Sequence, residues 1–163
     1  MGAPWNAILD KAEEAWKAYI DANKGTTLQY TPQGGGTAAD ITVYRAFDDE
    51  TDEVKLPYIL IAAGADEEAT ERVKEEGIWD VPILIRLACP KADTTRAVFR
   101  ALVGALADFV EGEDLATHIQ ATSGLPADFT AQFWRTTGFR RFVDPDEDSI
   151  VAEWRGMLLC HGS

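Results

Sequence analysis

Residues 81–110, "VPILIRLACPKADTTRAVFRALVGALADFV", decide the fold. The stretch starts with strand alternation. Ile83, Ile85, Leu87 and Cys89 fall on one side of an extended chain, and Leu84, Arg86 and Ala88 on the other. After a short polar turn the period changes to that of a helix. Asp93 or Thr94 can cap it, and Val98, Leu102, Leu106 and Phe109 form an apolar stripe widened by Phe99 and Val103. The helix therefore runs to about Val110. This strand–helix unit has no glycine loop for a phosphate, no paired catalytic groups and no ligand cluster, so its purpose must be sought in the surrounding chain.

Towards the N-terminus, residues 56–64, "LPYILIAAG", read as a strand that is apolar on both faces, hence central or covered on both sides. "ITVYRAF" (41–47) is a further strand, and residues 31–40, "TPQGGGTAAD", are a flexible loop. Its three glycines precede neither a Gly-Lys-Ser/Thr nor a helix, so they do not make a phosphate loop. Residues 3–24 form an amphipathic helix. Trp5, Ile8, Leu9, Ala12, Trp16, Tyr19 and Ile20 line one face, and Asp10, Lys11, Glu13, Glu14 and Lys17 the other. Asn23-Lys24-Gly25 stops it. Such an aromatic stripe calls for a large apolar partner, most simply a sheet. Between strands two and three, "ADEEATERVKEEGIWD" (65–80) permits either a short helix or an extended arm, with only Ala69 and Val73 as an apolar stripe.

Towards the C-terminus, "EDLATHIQATSG" (113–124) is a brief helix ended by Gly124 and Pro126. "FTAQFWRTTGFRRFV" (129–143) and "SIVAEWRGMLLCH" (149–161) are strands joined by the turn "DPDED" into a long hairpin. Ile150, Ala152, Trp154, Gly156, Leu158 and Cys160 make its core face. The expected class is α+β: a mostly antiparallel, mixed sheet with two longer helices packed on one face and a C-terminal β-hairpin, in one domain spanning residues 1–163.

The bulk properties narrow the function. The chain has 163 residues, 28 acidic and 15 basic, giving a net charge of −13. Phosphate affinity comes from Lys and Arg, so sequence-neutral DNA binding and anionic membranes are disfavoured. No apolar run approaches the roughly 20 residues that span a bilayer. The start shows no secretory signal, and Asn6 stands where a myristoylation site needs Ser or Thr. Cys89 and Cys160 each sit in an apolar run and read as buried free thiols. His118 and His161 have no catalytic companions within reach of the sequence pattern. Asp144, Asp146 and Asp148 alternate as in a calcium loop, but Ser149 and Arg155 occupy its glycine and glutamate positions. No catalytic residue, metal site or cofactor is expected.

The order of segments resembles the tail terminator and tail-completion proteins of long-tailed bacteriophages, the minor tail protein U type. The resemblance lies in the N-terminal helix, "LPYILIAAG", the acidic stretch ending in "GIWDVPILIRLACPKAD", the helix "TTRAVFRALVGALADFV", "DLATHI" and the closing "IVAEWRGMLLC". It covers roughly residues 5–160 as a pattern of elements, without a short motif that would carry over individual residues. It implies a non-enzymatic virion protein made in the host cytoplasm and placed in the tail–neck region. There it would form a homohexameric ring that caps the tail tube, touches the major tail tube protein and meets the head connector or stopper. DNA would pass through without specific binding, and the strand–helix unit of residues 81–110 would be scaffold. Another neck protein, or a non-viral α+β domain with a small-molecule pocket, are the competing readings.

Two sets of residues follow as candidates. Arg135, Arg140 and Arg141, a basic cluster in an acidic chain, are candidate inter-subunit contacts. Trp79 joins them, together with Phe133 and Trp134, as apolar surface whose burial would come from a neighbour. The candidate channel lining is acidic: Asp48, Asp49 and Glu50; Glu67, Glu68, Glu71, Glu75 and Glu76; and Asp146 and Glu147 of the hairpin turn. A wall beside moving DNA needs charge density without fixed geometry, which loops can supply.

Overall fold

The computed structural model describes residues 4–46, 54–65, 69–73, 77–112, 114–122 and 124–162. Helix α1 (Pro4–Asn23) is followed by a two-stranded ribbon of β1 (Gln29–Tyr30) and β2 (Ala39–Asp40). Then come β3 (Thr42–Arg45), β4 (Tyr58–Ala63), β5 (Thr70–Val73) and β6 (Ile78–Pro90). A 3-10 turn (Lys91–Asp93) leads into α2 (Arg96–Val110), α3 (Leu115–Gln120), β7 (Phe129–Asp144) and β8 (Ser149–Gly162). The main sheet runs β3-β4-β6-β8-β7, with β5 beside the first residues of β6. Among the described strands, only β3 and β4 pair in parallel; every other pairing is antiparallel. This is the expected α+β class with a mixed sheet.

Strand β6 organises the sheet because it pairs on both edges, with β4 along Ile83–Ala88 and with β8 along its whole length. Its alternation is kept: Ile83, Ile85, Leu87 and Cys89 are buried, while Leu84 and Arg86 are half-buried on the other face. Each fully buried aliphatic side chain contributes about 1.5–3 kcal/mol. The buried face of the sheet meets Ile8, Ala12, Trp16 and Ile20 of α1, and Leu102, Leu106 and Val110 of α2, in one principal core. The Trp16 and Trp134 rings meet edge to face, with centroids 4.7 Å apart.

Helix α2 starts one residue later than expected. Thr95, not Asp93 or Thr94, caps it, its Oγ1 accepting from the Val98 N–H at 3.2 Å. The reason is the 3-10 turn, which uses Asp93 before the α-helix can begin. The Asp93 carbonyl there accepts from the Gln33 N–H and the Tyr30 hydroxyl. The fully buried stripe is Leu102, Leu106 and Val110, with Val98, Phe99, Val103 and Phe109 packed at its margin.

Residues 65–80, open between helix and arm, take the extended form where described: β5 and the start of β6 pair antiparallel. Gly77 sits between them at φ +69, where a Cβ would lie 2.8 Å from the Gly162 carbonyl oxygen. Only glycine tolerates both conditions.

A second correction concerns Glu13, which helical periodicity places on the wet face of α1. It is 2% exposed. The ends of β3 and β4 reach around that flank of the helix. The Ala63 N–H donates to Glu13 Oε2 at 2.9 Å, and Arg45 stands 3.4 Å from Oε1. Burial raises its pKa, against the lowering effect of the Ala63 bond and of Arg45.

Candidate interaction surface

The described helices contribute to the core on one face of the sheet, while the opposite face carries only a small cluster of strand side chains. Tyr58, Ala88 and Val151 are its buried members, with Tyr44, Leu56, Leu60 and Phe142 around them. Glu153 lies on this face with its side chain fully buried. Its carboxylate is shared: Arg86 Nε donates to Oε2 at 2.6 Å, and Arg140 Nε to Oε1 at 2.7 Å. Arg155 stands 3.9 Å from Oε1. The Arg140 guanidinium also stacks over Phe142, 4.5 Å from the ring centroid. One acid thus anchors cations from β6, β7 and β8. Beside it, the Tyr58 hydroxyl donates to the Glu147 carboxylate at 2.9 Å. Burial and that carboxylate push the phenol up to about 12.

Strand β7 is the outer strand of the hairpin, and its pairing with β8 slips twice, between Ala131 and Phe133 and between Thr136 and Gly138. Each slip re-aims the following side chains. The first puts Phe133 opposite Leu159, away from the helices, and Trp134 opposite Leu158, towards them. After the second, Phe139, Arg141 and Val143 pair with Trp154, Ala152 and Ile150 on the helix-facing side. The helices do not cover them fully. Phe139 is 45% exposed and Val143 49%, and with Phe133 at 57% they are three of the four large hydrophobic side chains exposed among the described residues.

Two grooves flank this strand. One, of about 640 Å³, is lined by Glu111, Asp114, Leu115, Phe133, Arg135 and Thr136. The other, of about 570 Å³, lies between the first turn of α2 and the far end of β7, with Lys91, Arg96, Arg100 and Arg141 along it.

The residues singled out from sequence divide accordingly. Arg135 and Arg141 are exposed and make no ion pair among the described residues, whereas Arg140 is tied to Glu153. Trp79 and Trp134 are each 8% exposed. The Trp134 indole N–H donates to the Val110 carbonyl at 2.7 Å, deep under the end of α2. Their burial is within the chain, which corrects the expectation that a neighbour supplies it; β6 is longer at its start than the sequence suggested, and this draws Trp79 into the core. Asp48, Asp49, Glu50, Glu67, Glu68, Glu75 and Glu76 lie outside the described residues, as does the side chain of Glu71. Asp146 and Glu147 are exposed in the hairpin turn, where the Asp144 carboxylate accepts from both of their N–H groups. Glu153 was missed, although an acid between two apolar residues opposite Arg140 in a hairpin is a readable cross-strand signal.

Cys89 and Cys160 are free and fully buried, with burial pushing both thiols up to about 12. Among the described residues, no three His, Cys, Asp or Glu side chains stand together as a metal cage. No helix among the described residues is long and apolar enough to cross a membrane.

No protein-family model and no curated protein matches the sequence. The fold, by contrast, is similar to a chain of a solved structure described as the virion of a native gene transfer agent (GTA) particle. The TM-score is 0.58 at 15% identity, over 96% of this chain and 97% of that one. At this identity the shared property is the fold.

Proposed function

We propose that this chain is a structural protein of a phage-like virion, and specifically a tail terminator. Six copies would form a ring on the end of the tail tube, against the major tail tube protein on one side and the head connector or stopper on the other. The observation that carries the reading is the similarity to a virion chain along nearly the whole length of both proteins. The element-by-element resemblance in sequence points the same way, and so does the surface. An outer strand with three exposed hydrophobic side chains and two unpaired arginines is suited to contact with other proteins rather than to water alone.

In this reading Arg135 and Arg141 contact neighbouring copies, while Arg140 shapes the open sheet face through Glu153. The acidic loops, with Asp146 and Glu147 among their residues, face the channel and keep DNA phosphates from adhering to its wall. The role is assembly rather than catalysis, and no cofactor takes part. Removing the gene from the producing genome distinguishes a terminator from another neck protein. Loss of a terminator gives particles with overlong tails. Tails of normal length that fail to join heads would assign the chain to head–tail joining instead.

A further inference from the structure

The groove between α2 and β7 has a charge that the chain as a whole does not. Lys91, Arg96, Arg100 and Arg141 line it, and no carboxylate does. They are four of only 15 Lys and Arg in a chain with 28 acids. None of the four makes an ion pair among the described residues. Left alone, four like charges around one groove repel one another, and an acidic occupant removes that cost. Phe99 and the half-exposed Val143 add apolar lining that such an occupant would cover.

We infer that this groove docks an acidic surface of a second copy of this chain. The inference rests on the ring reading and names the contact that would build it. Charge complementarity identifies the occupant: every copy carries both the cationic groove and a large acid excess elsewhere. The contact is therefore between two different surfaces. A contact of that kind propagates head to tail and closes into a ring when the rotation permits. Duplex DNA fits less well, because the net charge of −13 repels phosphates at long range and a recess of about 570 Å³ does not admit a duplex.

Zero-length carboxyl-to-amine cross-linking of a mixture of 14N- and 15N-labelled protein tests this, with electron microscopy of the same sample for rings. The expected result is mixed-isotope cross-links joining Lys91 to Asp or Glu of another copy. They should fall roughly tenfold in the Arg96→Gln/Arg100→Gln/Arg141→Gln variant, whose thermal stability is unchanged because the substituted side chains are exposed or half-exposed. Rings without a mixed-isotope Lys91 link would overturn the groove contact and leave the ring reading standing. The Lys91 link without rings would support the contact and count against the ring. Neither rings nor link would overturn both. A labelled short duplex held by the wild type and released by the triple variant would assign the groove to nucleic acid instead.

Discussion

Replacing Gly156 by alanine is the most demanding test of the core. Gly156 stands in β8 opposite Ile83 of β6, on the helix-facing side. A Cβ built there collides with the six-membered ring of Trp134 and lies 2.7 Å from the Arg135 carbonyl oxygen. The backbone cannot retreat, since β8 is paired on both edges at this residue. The indole must move, and its position is fixed by two contacts: the 2.7 Å bond to the Val110 carbonyl and the edge contact with Trp16. Overpacking costs about 1–3 kcal/mol. A buried indole N–H without its partner costs about 1–3 kcal/mol more, and the lost aromatic pair about 0.5–1.5 kcal/mol. Alanine regains about 0.5–1 kcal/mol over glycine within a strand. The balance is a loss of about 4 kcal/mol, or roughly 10 °C in Tm for a chain of this size. Urea unfolding and thermal melts of Gly156→Ala, alone and in a Trp134→Phe background, measure it. The smaller ring should reduce the cost to about 1.5 kcal/mol or less. A change below about 1 kcal/mol in the parent, or equal costs in both backgrounds, would refute the reasoning.

Three further outcomes are expected. Glu153→Ala leaves Arg86, Arg140 and Arg155 facing one another and should cost about 3–5 kcal/mol in urea unfolding, and Glu153→Gln, which loses the same charge, should cost nearly as much; a Gln variant as stable as the parent would show that charge is not what anchors the cluster. Cys89 and Cys160 should be silent to a disulfide reagent at pH 8 while the protein is folded, because thiols near 12 are ionised in about one molecule in ten thousand and are shielded, and both should react in denaturant. Burial holds the folded pKa of Glu13 above its ordinary value of 4.5, so the folded state holds its proton longer than the unfolded chain does. Its contribution to stability is therefore greatest below that value and is lost as pH rises through the folded pKa. Glu13→Gln has no such titration, so the Tm of the parent minus that of the variant should fall as pH rises through the folded pKa, and a difference that rises with pH would contradict the sign.

Much of the architecture could be read from periodicity. The alternation of residues 83–89, the stripe in α1 and the hairpin at 129–161 each repeat long enough to outweigh local noise. Element ends were less readable. The cap of α2 depended on a 3-10 turn whose need arises from contacts with Tyr30 and Gln33, far away in sequence. Glu13 failed for a related reason: periodicity assigns a helix two faces, whereas the ends of β3 and β4 reach around the flank of α1. Strand β7 hid its pattern because two register slips break the alternation within 16 residues. Trp134 and Phe133 therefore could not be assigned their opposite faces. The basic groove joins Lys91, Arg96 and Arg100 to Arg141, about forty residues later, so the RR pair at 140–141 read as a single cluster when its two members serve different surfaces.

Electron cryomicroscopy of assembled particles tests the central claim most directly, because it locates this chain within the particle. The account expects six copies in a closed ring at the end of the tail tube, between tube and connector, with the open sheet face or strand β7 against another subunit. A particle in which the chain is absent, or lies elsewhere than at that junction, would contradict it.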